Sequence, residues 1–291
     1  MAMALDREQL RAALSVLRKY EEPFGDEPFS YQWASLFLKM KGWVGQKCGS
    51  EKSILSDPIQ ELYMTLIFIQ EDVQNIATIA LRMNWLRDRF ERKELSYSYW
   101  LLFVATDVDL LHVELRSAFD YLARAISLVS DNPGQVATKS FRELKQWLEK
   151  SNENANRLGQ DLASMVLSCD WFDDIRFARD TIVHKGGTTI IEIDGSRILF
   201  RVDRRPGRSL NLHPETMSKP GFTDFELYAG LYLGYLLAYL ERFSMEVTRR
   251  LRLEEFNWCE ESYVHSGFGV VRGWIESAYK RIGCSELPCG S

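Results

Sequence analysis

Three residues past the middle of the chain have the types and spacing for acid–base work on a phosphate ester. They are Arg179, Asp180 and His184, within the run FARDTIVHKGG from Phe177 to Gly187. An imidazole titrates near neutrality and can take or give a proton. A guanidinium stays charged and presents a fixed fork of donors to anionic oxygens. A carboxylate four residues before a histidine shares its helix face, and it can accept a proton from one ring nitrogen and fix the tautomer. Arg179 and His184 lie roughly 140° apart on a regular helix. The reach of the arginine, a distorted last turn or a second copy of the chain must close that gap.

The elements around these residues follow from periodicity. Phe172, Ile175, Phe177, Ala178, Ile182 and Val183 give residues 172–184 an apolar side, and Gly186 and Gly187 suit a helix end. Upstream, Ser56-Asp57-Pro58 reads as a helix start. A long helical pattern follows to about Lys93, and a second runs to about Val129. SDNPGQ is a turn, SFRELKQWLEKS a shorter helix, and the polar segment to Cys169 is irregular or helical. Downstream the period switches to two. TTIIEIDGSRILFRV holds two alternating runs around Asp194-Gly195, a strong hairpin signal over residues 188–203. A loop is expected from Arg204 to Gly221. Thr223 or Asp224 then caps a last long helix to about Leu253, and a further helix is expected within 255–282. Residues 1–55 read as a separate helical extension before a main domain of 56–291. Gly230 and Gly234, four apart, suit close approach of another helix, in the core or across a dimer.

The pair Arg179-Asp180 followed by His184 resembles the R-x(4–6)-H motif of the HEPN superfamily, in which asparagine, aspartate or histidine commonly follows the arginine. The order of long helices, a motif at a helix end and a final long helix is similar too, over roughly residues 57–255. A second spacing match, Arg208 to His213, lies in the loop and abuts Pro214, a context that fits the family poorly. The resemblance implies a mainly α, antiparallel helical bundle with an inserted β-hairpin. It implies a metal-independent endoribonuclease of toxin or defence type, with His184 as general acid/base, Arg179 stabilising the phosphoryl transition state and Asp180 positioning. The products would be a cyclic phosphate and a free 5′-hydroxyl. No cofactor is implied. The implied partners are RNA, a second copy in a homodimer and a nucleotidyltransferase-like antitoxin. The alternative is a non-catalytic HEPN-like helical dimer acting as a protein- or nucleotide-binding module.

Lys185, Arg197, Arg201, Arg204 and Arg205 follow the motif closely and form a candidate patch for RNA phosphates, with Arg208 beyond them. The other reading is a solvated strand face paired with Glu192, Asp194 and Asp203. A facing helix often adds a polar residue to HEPN-like sites, and Glu114 and Asp120 are the candidates. The net charge of −5 means that any polyanion must meet a local patch rather than the whole surface. Five scattered cysteines do not form a disulfide framework, and Cys259, His265, Cys284 and Cys289 match no usual zinc spacing. The first residues lack the apolar core of a signal peptide, so the cytoplasm is the expected compartment. Phe225 to Phe243 is apolar but interrupted, and reads as a buried helix rather than a membrane span.

Overall fold

Past Pro58, residues 59–91 contain neither glycine nor proline, and they continue a single 35-residue helix, α1 (Asp57–Glu91). A tight turn through Lys93, at φ 58, leads into α2 (Tyr97–Leu128). The two run antiparallel: Arg82 pairs with Asp107 near one end and Arg124 with Glu61 near the other. The computed structural model describes residues 57–136, 139–184, 188–203, 216–253 and 267–281. The expected 1–55 extension lies outside them.

Three shorter helices follow: α3 (Phe141–Glu149), α4 (Asn152–Leu158) and α5 (Gln160–Leu167). Ser140 caps α3 by accepting the Glu143 amide, and Ser151 caps α4 through the Glu153 amide. The polar segment before Cys169 thus forms two short helices. The helix α6 (Phe172–His184) comes next and carries the motif. The core is densest where Phe119 of α2 meets Phe141, Trp171 and Phe172 at ring distances of 4.9, 5.1 and 5.2 Å. Full burial of each such ring contributes about 1.5–3 kcal/mol, which fixes the start of α6 against α2.

The hairpin consists of β1 (Thr188–Asp194) and β2 (Arg197–Asp203). Its turn is Gly195-Ser196 rather than Asp194-Gly195, because Asp194 is still paired, opposite Arg197. Gly195 takes φ 63, as the first corner of a type II′ turn requires. This register sets Ile193 against Ile198 and Ile191 against Phe200 on the core side. An Asp-Gly turn would instead set Ser196 against Ile193. Two strands correct the expected loop: β3 (Met217–Lys219) and β4 (Phe222–Asp224) complete a four-stranded antiparallel sheet of order β1-β2-β4-β3. Pro220-Gly221 turns between them, with Gly221 at φ 78.

Asp224, not Thr223, caps α7 (Phe225–Leu251), accepting the amides of Glu226 at 3.1 Å and Leu227 at 3.3 Å. Most of α7 is buried, and among the described residues no helix is long and apolar enough to cross a membrane. Gly230 allows α8 (Gly267–Arg281) to lie backbone-close within the same chain. A Cβ at Gly230 would press on the Trp274 carbonyl and come within 2.9 Å of the Ile275 nitrogen. Backbone cannot yield as a side-chain tip can. Gly230→Ala is therefore expected to cost about 1–3 kcal/mol and lower Tm by roughly 5 °C. Gly273→Ala on α8 meets nothing within 4 Å and should leave Tm unchanged or raise it. Equal melting of the two variants would contradict this close packing.

Candidate active site

The helix α6 turns two sides to its surroundings. Phe172, Ile175, Ala178 and Thr181 are buried, while Phe177 and Ile182 pack at the margin of the core. Val183 was expected on the apolar side but is 46% exposed. It lies on the polar side with Arg176, Arg179 and Asp180, because 100° per residue carries it past the core-facing stripe. His184 is exposed at the helix end. The two glycines and Lys185 lie outside the described residues.

Arg179 and His184 converge. The Arg179 Nη1 lies 2.5 Å from His184 Nε2. The arginine side chain spans the angle between the two positions within one chain, on a regular helix. A guanidinium only donates, so in this contact Nε2 accepts. The lone pair of the candidate base and the donors of the candidate anion binder thus meet at one exposed point.

Asp180 does not serve the imidazole as expected. Its Oδ1 accepts from Arg179 Nη1 at 3.3 Å, and its Oδ2 from Arg176 Nη1 at 3.5 Å. The carboxylate is drawn to two nearby cations, the stronger partners. Arg176, which also bonds Asp173 at 3.3 Å, is the residue that sequence reasoning missed. Its signal was its place four residues before Asp180. Two guanidiniums, Arg176 and Arg179, thus alternate with two carboxylates, Asp173 and Asp180, along this surface.

No known family model, curated protein or solved structure matches this chain.

The neighbouring helix supplies different residues from those expected. Glu114 faces α1, where it accepts from Asn75 Nδ2 at 3.2 Å. Asp120 pairs with Arg116 and accepts the Phe141 amide at 3.1 Å. Neither completes the motif. Asp109 instead bonds the Thr189 hydroxyl and ties the base of the hairpin to α2. Burial raises its pKa, and the threonine bond opposes that shift.

On the outer face of β2, Arg197 bonds Asp194 at the hairpin tip. The Arg201 guanidinium lies 4.8 Å from the Phe222 ring centre, and Lys219 Nζ lies 4.6 Å from it. Arg201 is thus engaged in packing, while Arg197 stands at the end of the strand away from the motif. Arg204, Arg205, Arg208 and His213 lie outside the described residues, as do Cys259, His265, Cys284 and Cys289. Among the described residues no three His, Cys, Asp or Glu side chains cluster as metal ligands.

Proposed function

We propose that the chain is a HEPN-like, metal-independent endoribonuclease acting on RNA through Arg179 and His184. The observation that carries this reading is the 2.5 Å approach of Arg179 Nη1 to an exposed imidazole nitrogen. A phosphodiester entering there would take the guanidinium onto its non-bridging oxygens and free Nε2 for the ribose hydroxyl. Nε2 accepts the 2′-hydroxyl proton and O2′ attacks phosphorus. The P–O5′ bond breaks, and a 2′,3′-cyclic phosphate and a 5′-hydroxyl result. Arg179 stabilises the charge that builds on the phosphoryl oxygens. Asp180, held by Arg176, limits where the Arg179 fork can point.

One imidazole cannot both remove the first proton and deliver the last in a single step. The leaving oxygen takes its proton from water or from a second copy's imidazole, which gives the proposed homodimer a chemical reason. A nucleotidyltransferase-like antitoxin remains the proposed regulatory partner.

The test is direct. The purified chain, incubated with single-stranded RNA in excess EDTA, is expected to release fragments ending in 2′,3′-cyclic phosphate. Intact RNA, or fragments ending in 3′-hydroxyl, would overturn the proposal. Intact RNA beside a stable dimer would leave the non-catalytic binding module as the better reading.

A further inference from the structure

We propose that a cleft between the α1–α2 turn and the tip of the hairpin binds a small organic anion with an apolar body. The cleft has a volume of about 340 Å³, within the range of small-molecule sites. It lies at the far end of β1 from the motif. A seven-residue strand rises about 3.3 Å per residue, which puts roughly 20 Å between the two ends. The inference is independent of the nuclease reading.

Its lining mixes charged and apolar groups. Arg87, Lys93 and Arg197 line it against a single acid, Glu91, while Phe90 and Ile193 are among its apolar walls. Arg87 is ion-paired with Glu226, and Arg197 with Asp194. Lys93 has no acidic partner among the described residues.

Two observations point to a ligand rather than to a solvated charged surface. Trp100 lines the cleft and is 1% exposed, and its indole N–H is buried without a partner. The Arg87 Nε–H is buried and unpartnered as well. Leaving a buried donor unmet costs about 1–3 kcal/mol, a cost that an anionic oxygen drawn in beside Trp100 would remove. Burial works against the Arg87 charge, and Glu91, Asp224 and Asp88 partly offset it.

Lys93 sits at φ 58, where a side chain costs roughly 1–2 kcal/mol and glycine would fit freely. That conformation closes α1: the Lys93 amide donates to the Phe90 carbonyl at 2.9 Å and the Glu94 amide to the Arg89 carbonyl at 3.0 Å, and the cap leaves Lys93 lining the cleft. Leu95 and Trp100 bracket the start of α2, whose first turn carries no acid and whose Ser96 makes no side-chain cap. The positive end of a 32-residue helix therefore borders the same cleft.

The experiment uses the full chain with ¹⁵N-labelled tryptophan, without RNA. The Trp100 indole resonance is identified by its loss in Trp100→Phe. Phenyl phosphate, benzoate and neutral benzyl alcohol are titrated separately. At least one anion is expected to shift the resonance with Kd below about 1 mM, and the alcohol is not. Lys93→Gln is expected to weaken binding about tenfold, as loss of one charge-assisted contact does. A response to phenyl phosphate alone assigns a phosphomonoester, and a response to benzoate alone a carboxylate. No response to either anion at about 10 mM, or equal affinity in Lys93→Gln, would overturn the proposal.

Discussion

On the proposed reaction, His184→Ala is expected to lower the rate of RNA cleavage by about 10²–10⁴-fold, the usual contribution of a positioned acid–base group. Arg179→Ala is expected to lower it by about 10²–10³-fold, as loss of one fixed donor at a developing oxyanion does. Arg179→Lys keeps the charge but loses the planar fork and recovers only part of the rate. Because the proposed reaction uses both side chains in one step at a single point, the double variant is expected to be little worse than His184→Ala alone. Neither substitution should unfold the chain. His184 is exposed, Arg179 is half-buried, and their contact is at the surface, so stability should stay within about 0.5 kcal/mol of the parent. Initial rates on a labelled single-stranded RNA, with Tm measured alongside, separate a chemical loss from an unfolding one. Cleavage that survives His184→Ala at an unchanged rate would remove the histidine from the reaction.

That surface was readable from the sequence in part. Helix α6 was legible from its apolar spacing, and α1 and α2 from long runs without an interior breaker. The meeting of Arg179 with His184 was visible only as a question of reach, because side-chain torsions lie beyond periodicity. The partner of Asp180 was misjudged because Arg176, one turn earlier, competes for the same carboxylate. The hairpin was legible from its alternation. Its turn was displaced because pairing of Ile193 with Ile198 outweighs the local preference of Asp-Gly. Strands β3 and β4 were hidden because three residues are too few to display a period of two. Pro220-Gly221 was their only local signal. Glu114 and Asp120 could not be assigned to a side of α2 without knowing which helix packs on which stripe.

The second large effect concerns pH and a histidine outside the site. His112 on α2 is fully buried. Its Nδ1–H donates to the Val108 carbonyl at 2.7 Å, and its Nε2 accepts from the Tyr228 hydroxyl at 2.8 Å. Both nitrogens are satisfied by a neutral ring, and burial pushes its pKa down from 6.5 to about 4, partly opposed by the Val108 bond. Above pH 6.5 the ring is neutral in both states and its full contribution to stability is present. As pH falls from 6.5 toward 4, the unfolded ring takes up a proton that the folded ring refuses, and stability is lost. The gap of 2.5 units corresponds to about 3 kcal/mol.

Asp72 on α1 acts in the opposite sense. Its carboxyl is raised to about 7, chiefly by burial and further by Glu114 and Glu71, while a bond with Ser117 pulls it down. The folded chain keeps that proton as pH rises from 3.8 toward 7 and the unfolded chain releases it, so stability falls with rising pH. Asp107, Asp109 and Asp224, also raised by burial, act in the same sense. Between about pH 4 and 6.5 the two large effects oppose each other, and the parent profile should be shallow.

Single variants expose each half. His112→Gln can retain hydrogen bonds to Val108 and Tyr228 without titrating, so its stability deficit relative to the parent should shrink by about 3 kcal/mol between pH 7 and pH 4. Asp72→Asn should gain on the parent as pH rises through the same interval, because no buried carboxyl is left to ionise. Urea unfolding at both pH values, compared pairwise with the parent, reads each difference without depending on absolute stability. A His112→Gln deficit that does not change with pH would mean that the buried ring carries no titration penalty, and its place between Val108 and Tyr228 would need revision.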